Sequence, residues 1–225
     1  MNNLNKRAFA GILNLLVCMS LLIFLPAWSF RYWQAWVFLG AFFLPSLAIT
    51  VYLMKKDPKL LERRVKAGAA AETEMSQKII QGFAAIFFLA TIVFPALDHR
   101  LGLSHVPTCA VVAGDMLVVL GFFIVFLVFK ENSYTSGIIE VAAEQKVIST
   151  GPYALVRHPM YTGALILLLG VPLALGSWWG LLTIVPMTGV IIWRLLGEEN
   201  FLATKLAGYS AYRDRVRYRL APFVW

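Results

Sequence analysis

The sequence has little charge and very little cysteine for its length. Charged side chains make up 14% of its 225 residues and hydrophobic ones 60%, whereas soluble domains carry about 25% charged residues. Two cysteines are too few for a disulfide framework or a cysteine-rich zinc site. Such a chain is not a disordered tail, and it lacks the polar surface on which a soluble nucleic-acid binder displays its basic residues. We therefore expect one membrane domain over residues 1–225, with no nucleic-acid partner.

Motifs typical of several enzyme classes are also absent. The chain has no Gly-x-Ser-x-Gly element, no Walker loop and no dinucleotide-binding Gly-x-Gly-x-x-Gly turn. His99 and His105 are six residues apart, which is a weak metal signal, and no metal site is expected. Cys18 and Cys109 lie in or beside different apolar runs, where packing explains them better than redox chemistry.

Four long apolar runs dominate residues 1–130. They cover 8–30, 33–54, 79–97 and 109–129, and Asp115 is their only charged residue. Each run is close to the roughly 20 residues that a helix needs to cross the hydrocarbon core. The first run is longer than the core of a signal peptide, so we expect it to be retained. For Asp115, a structural hydrogen bond and a functional role are equally favoured.

A fifth uncharged run, 161–193, is too long for one helix across the membrane. Gly176 and Gly180 enclose Trp178 and Trp179, which suit a turn at the membrane interface. The run predicts a hairpin of two short helices. The predicted fold is thus an all-α integral membrane protein with four transmembrane helices and a C-terminal hairpin, giving five to six spans, and residues 131–225 form its catalytic part.

Basic residues predict the orientation of these spans. Of 20 Lys and Arg residues, only Arg31 and Arg100 fall on the side opposite the N-terminus, which leaves 18 on its own side. The positive-inside rule then places both termini and the tail in the cytoplasm. Membrane lipids are the expected partners of these cations, and a bacterial inner membrane is the expected location.

The polar segments between spans gather on the predicted inner side. Residues 55–78 predict an amphipathic interfacial helix followed by a small-residue stretch at 67–71, whereas 98–107 is read as an outer connector. Residues 130–160 and 194–225 flank the hairpin, so the fold can bring them together. We expect the active site to face the cytoplasm there.

One of these segments, 151–163, concentrates residues capable of chemistry. It reads Gly-Pro-Tyr-Ala-Leu-Val-Arg-His-Pro-Met-Tyr-Thr-Gly. Pro159 suits the first turn of a helix, whose start offers free N–H groups to a polar ligand. Arg157 and His158 add a cation and a hydrogen-bonding ring at the membrane face. Singly, each residue fits a charged membrane anchor, but together they favour a binding site.

A second cluster begins where the hairpin ends. Arg194 and Glu198 are four residues apart and share one helix face, with Glu199 adjacent. An interfacial ion pair would explain them, but Arg194 could also hold an anion and Glu198 a cationic amine. The tail arginines at 213, 215, 217 and 219 are expected to contact lipid headgroups.

At these clusters the sequence resembles the isoprenylcysteine carboxyl methyltransferase family, including its bacterial relatives. The resemblance covers about 130–225 and rests on these elements: Glu-Asn-Ser-Tyr at 131–134, Val-Ile-Ser-Thr-Gly-Pro-Tyr at 147–153, Arg-His-Pro-Met-Tyr-Thr-Gly at 157–163, Arg194 with Glu198 and Glu199, and a Tyr-x-x-Tyr…Arg-Leu-x-Pro tail. Residues 138–144 depart from the eukaryotic enzymes, and the N-terminal part is shorter than in the animal enzymes.

The resemblance implies an integral membrane enzyme that uses S-adenosylmethionine without a Rossmann domain. The family's catalytic positions fall on Arg194, on the substrate side, and Glu198. Its cofactor contacts fall on Gln145, Lys146, Val147, Ile148, Tyr153, His158, Pro159, Met160, Tyr161 and Glu198.

Methyl transfer from a sulfonium is an in-line displacement, to which positioning contributes strongly. A carboxylate acceptor needs no general base, and Arg194 could orient it. The favoured acceptor is therefore a lipophilic or lipidated carboxylate, such as that of a prenylated cysteine, entering from the bilayer. A lipid amine or a small thiol is the alternative acceptor.

Two other functions compete with this one. Sterol-reductase-type enzymes, which use NADPH, share an Arg-His-Pro-x-Tyr-x-Gly segment, but they usually have Asn and Glu where this chain has Met160 and Ala164. A transporter would be expected to carry more polar groups within its spans. Both are disfavoured.

Overall fold

The computed structural model describes residues 3–65, 72, 74–142 and 145–225. It is 76% helical, and these residues form no β-strand, which confirms the all-α prediction. The helices are α1 (Asn3–Ala27), α2 (Trp33–Lys56), α3 (Pro58–Val65), α4 (Met75–Leu101), α5 (Thr108–Glu131), α6 (Pro159–Ala174), α7 (Ile184–Lys205) and α8 (Tyr209–Arg215). Two short 3-10 helices cover Gly151–Ala154 and Trp179–Thr183.

Five segments are long and apolar enough to cross a membrane: α1, α2, α4, α5 and Trp179–Lys205, which joins a 3-10 turn to α7. The four predicted N-terminal spans are therefore confirmed by length and composition. The shorter arm of the hairpin is α6, whose 16 residues rise about 24 Å at roughly 1.5 Å per residue. That is less than the roughly 30 Å hydrocarbon core, so five spans is the count by length.

The hairpin differs from its prediction in where its helices begin and end. Gly176, with φ +70°, follows α6 and turns the chain, because glycine adopts positive φ without a Cβ clash. Trp179 opens the 3-10 turn, but α7 continues past Trp193 to Lys205. The longer helix carries the second motif cluster on the same rigid element as the membrane span.

The interfacial helix within 55–78 is shorter than predicted. It is α3, which the Asp57 carboxylate caps by accepting the Leu60 N–H at 3.0 Å. Leu60 and Leu61 are buried and pack in a cluster with Ala8 and Phe129, whereas α3 ends in basic residues. The helix is amphipathic as expected, and the stretch 67–71 lies outside the described residues.

Residues 98–107 were predicted to form a connector at the other end of the bundle. Their first part instead continues α4, and the rest makes specific polar contacts. Asp98 belongs to α4, and its carboxylate accepts hydrogen bonds from Ser104, at 2.6 Å, and from Ser177. The His99 ring stacks on Tyr32 with centroids 3.8 Å apart. A buried carboxylate requires donors, so this end is a polar junction of three connectors rather than a loose loop.

The closest helix packing joins α5 to α6. A Cβ atom added to Gly121 would lie 2.5 Å from the Gly163 carbonyl oxygen, and one on Gly170 would lie 2.5 Å from the Gly114 carbonyl oxygen. Small residues of this kind let backbones approach within membranes. The contact places the start of α6 against the inner half of α5.

Asp115, beside this contact, is buried with 8% of its surface exposed. Neither carboxylate oxygen has a hydrogen-bond partner among the described residues. A structural hydrogen bond, one of the two equally favoured explanations of Asp115, is therefore not found within that part of the chain.

The α5–α6 contact yields a stability prediction. Gly121→Ala should destabilise the protein by about 1–3 kcal/mol, because overpacking forces the two backbones apart. Thermal unfolding in detergent measures the effect. Gly82→Ala in α4 is the matched control, since nothing lies within 4 Å of its added Cβ. Equal melting temperatures for the two variants would contradict the close contact.

Candidate active site

A polar cleft lies where α6 begins and α7 emerges from the bundle. Its empty space is about 900 Å³, counting its open mouth. The segments 132–140 and 145–148 form one wall, and the first turn of α6, the end of α7 and α8 form the others. The cleft is at the end of the bundle opposite the Asp98 junction.

The structure brings together all the residues that the motifs singled out for the site. The following predicted residues line the cleft: Gln145, Lys146, Val147, Ile148, Tyr153, His158, Pro159, Met160, Tyr161, Arg194 and Glu198. Their convergence from segments far apart in the chain is a property of the fold. Their individual roles stay predictions.

Glu198 is held in a defined orientation. The Tyr161 hydroxyl, from the first turn of α6, donates to Glu198 Oε2 at 2.7 Å. Arg194 lies one turn earlier on the same face of α7, and both side chains reach the cleft. The i, i+4 spacing thus produces the shared face that was expected.

Tyrosines outside the predicted set complete the polar wall. Tyr212 donates to the carbonyl oxygen of Tyr153 at 2.8 Å, and the Asn132 amide donates to the Tyr153 hydroxyl at 2.9 Å. Burial raises the pKa of Tyr153, so its hydroxyl stays neutral at physiological pH. Tyr209 also lines the cleft. The Tyr-x-x-Tyr pattern was the available signal for Tyr209 and Tyr212.

Glu199 faces away from Glu198 and gathers three basic side chains. Its Oε1 lies 3.0 Å from Arg157 Nε and 3.2 Å from His158 Nε2, and its Oε2 accepts from Arg219 Nε at 3.0 Å. Glu199 is 4% exposed, and a buried carboxylate needs such compensation. Arg157 and His158 are therefore not open to the membrane face, although both still line the cleft.

Arg219 was expected to contact lipid headgroups, but it makes contacts within the protein instead. Besides binding Glu199, its guanidinium lies 4.9 Å from the centroid of the Trp225 ring. Its carbonyl oxygen accepts the His158 N–H at 3.0 Å, and the Tyr218 carbonyl accepts the Arg157 N–H at 2.9 Å. The tail thus takes up the N–H groups of the two residues that precede α6.

Arg194 has a partner that the motifs did not reveal. Its Nη2 lies 2.8 Å from Glu72 Oε1, and its Nη1 donates to Gln77 Oε1 at 3.3 Å. Glu72 Oε2 also accepts the Ile139 N–H at 3.3 Å, which ties the cleft wall to the start of α4. A single acid so distant in sequence carries no local signal.

Apolar helices long enough to cross a membrane, with a polar cleft at one end, define an integral membrane protein that has a candidate active site at that end. Residues 109–207 match the family model described as phospholipid methyltransferase. That family belongs to the isoprenylcysteine carboxyl methyltransferase-type superfamily of membrane methyltransferases, which confirms the resemblance. The match, which covers less than half of the chain, suggests a membrane methyltransferase and favours that function over a reductase or a transporter. No curated protein matches the chain significantly.

The Glu199 cluster predicts a measurable effect on the tail. Glu199→Gln should cost about 3–5 kcal/mol, because it leaves buried cations without their counter-charge. The tail 216–225 should then detach and be cut faster by trypsin in detergent. Glu198→Gln, one residue away, is the control and should leave the tail protected. Wild-type protection of the tail in Glu199→Gln would contradict its role.

Proposed function

We propose that the protein is an S-adenosylmethionine-dependent methyltransferase that methylates the carboxylate of a lipophilic acceptor. The observation that carries the proposal is the convergence of Glu198, Tyr161 and Arg194 on one cleft at the end of the spans. A carboxylate suited to a cationic cofactor and an arginine suited to an anionic acceptor thereby face the same space.

The residues present fit this cofactor. The cleft is lined by both polar and apolar side chains, as small-molecule sites are. Glu198 can accept hydrogen bonds from an ammonium or from ribose hydroxyls, and the rings of Tyr153, Tyr209 and Tyr212 offer π faces to a purine or a sulfonium. When bound, S-adenosylmethionine supplies an electrophilic methyl group on its sulfonium.

The contribution of the protein would be binding and orientation. Tyr161 fixes the Glu198 carboxylate, and Glu72 fixes the Arg194 guanidinium, so both groups are preorganised. An acceptor carboxylate is already anionic at neutral pH and gives no proton to the protein. Held by Glu198 and the tyrosines of the cleft, S-adenosylmethionine would supply its methyl group to the acceptor oxygen, and its sulfur would keep the electron pair of the broken carbon–sulfur bond.

We further propose that the cleft faces the cytoplasm of a bacterial inner membrane. Support comes from the positive-inside count, in which 18 of the 20 basic residues fall on the side of the N-terminus. The ends of α2, α5 and α7 carry several of them, on the same side as the cleft. A lipophilic acceptor would then reach the cleft from the bilayer and a polar cofactor from the cytoplasm.

A lipid amine is the second candidate acceptor, and two observations favour it. The matching family is described as phospholipid methyltransferase, and the Arg194 charge is already balanced by Glu72. An amine must lose a proton before it attacks, for which Glu198 is the nearest candidate base in the cleft.

The cofactor assignment predicts binding of S-adenosylmethionine with a micromolar Kd, measured by calorimetry in detergent. Glu198→Ala should weaken binding about 10- to 100-fold, because a hydrogen bond to a charged group contributes roughly 1.5–3 kcal/mol. Glu74→Ala, an exposed carboxylate at the start of α4, is the control. Binding of NADPH without binding of S-adenosylmethionine would overturn the assignment.

The chemistry of the product separates the two acceptors. Membranes incubated with methyl-labelled S-adenosylmethionine and the enzyme should yield lipid-soluble label that mild base releases as methanol, because a carboxylate forms a methyl ester. Label that survives base would instead identify an N-methylated lipid. Membranes incubated with Glu198→Ala provide the background measurement.

A further inference from the structure

Arg64 is a largely buried cation beside the cleft. Its Nη1 donates to the Ser136 carbonyl oxygen at 2.8 Å and lies 3.9 Å from the Met160 sulfur. The guanidinium also lies 5.2 Å from the centroid of the Phe129 ring. Within the described ranges, no carboxylate is within 4.0 Å of it. Burial lowers the pKa of Arg64, as expected of a cation stripped of water.

The two arginines that line the cleft, Arg157 and Arg194, each have a carboxylate partner. Arg194 is paired with Glu72 at 2.8 Å, and Arg157 with Glu199 at 3.0 Å. A buried cation without a counter-ion costs free energy unless an anion joins it. An anionic ligand near the cleft would therefore gain the most binding free energy by pairing with Arg64.

Its position suits a ligand that comes from the membrane. Ser136 and Met160, which Arg64 contacts, both line the cleft. Arg64 is also close enough to Arg194 for the charge of that arginine to act on it. It is carried by α3, an amphipathic helix whose buried leucines pack against α5. A lipid headgroup is found at the depth of such a helix.

We propose that Arg64 binds the anionic group of the methyl acceptor and adds to the contribution of Arg194, whose own charge is balanced by Glu72. The inference rests on the proposed function and names its substrate class: an acceptor with an apolar tail and an anion, either a carboxylate or a lipid phosphate. Guanidinium groups bind both anions through two parallel hydrogen bonds.

The test compares a charged acceptor with an uncharged analogue. N-acetyl-S-farnesylcysteine and its carboxamide are titrated into the detergent-solubilised protein, with S-adenosylhomocysteine present so that nothing turns over. The wild type should bind the acid at least tenfold more tightly than the amide. In Arg64→Gln this preference should fall to less than threefold, while the affinity for S-adenosylhomocysteine changes by less than twofold.

Arg63→Gln is the matched control. Arg63 is on the same helix and also donates to a backbone carbonyl, that of Ser133, but on the exposed side. It should keep the wild-type preference. A second arm replaces the acid with phosphatidylethanolamine in nanodiscs. Binding there that is lost in Arg64→Gln, with no preference for the acid, would identify the anion as phosphate.

Equal binding of acid and amide by the wild type, with no Arg64-dependent binding of phosphatidylethanolamine, overturns the inference while cofactor binding leaves the proposed function intact. Failure of the wild type to bind S-adenosylmethionine or S-adenosylhomocysteine would instead reject the proposed function. If Arg64→Gln does not fold, Arg64→Lys is tested in its place, because lysine keeps the positive charge but lacks the planar guanidinium group. A reduced preference supports the role, and an unchanged one contradicts it.

Discussion

A single buried carboxylate, that of Glu199, holds the cleft in its shape. The loop before α6, the end of α7 and the C-terminal tail meet at its two oxygens. Charges of one sign repel, and Glu199 is the acid that contacts both Arg157 and Arg219 and so lets them lie side by side. The adjacent Glu198 is then free to face the cleft, because consecutive residues on a helix point in different directions. The two neighbouring acids thus have different roles, because Glu199 stabilises the structure and Glu198 faces the cleft.

The spans and the helical hairpin could be read from the sequence because the hydrocarbon core imposes length and apolarity on each helix. The shared face of Arg194 and Glu198 follows from four-residue spacing, which is equally local. The residues at which the helices of the hairpin end were harder to predict from the sequence. Nothing in the apolar run distinguishes Trp193, where charge-free sequence stops, from Lys205, where α7 stops, because a helix continues through polar residues once it leaves the membrane.

Contacts between distant segments were the part that sequence reasoning could not supply. Glu72 and Arg194 are 122 residues apart, and no periodicity relates them. Arg219 resembles the other tail arginines by composition, and only the path of the tail brings it to Glu199. Asp98 appeared to belong to a loop because it follows the end of an apolar run, yet α4 continues through it and buries it at a junction. Each of these outcomes depends on tertiary packing rather than on local pattern.

The short helix α6 has a consequence for the membrane itself. Its 16 residues leave a hydrophobic mismatch of several ångströms against a bilayer about 30 Å thick. Lipid beside it must thin, or water and headgroups must follow the protein surface inward. The start of α6 carries the cleft, so the deformation lowers the headgroup plane toward it. Under the proposed function, a lipid-borne acceptor would need to lift little of its tail out of the bilayer, and the rate of methylation would vary with the thickness of the surrounding membrane.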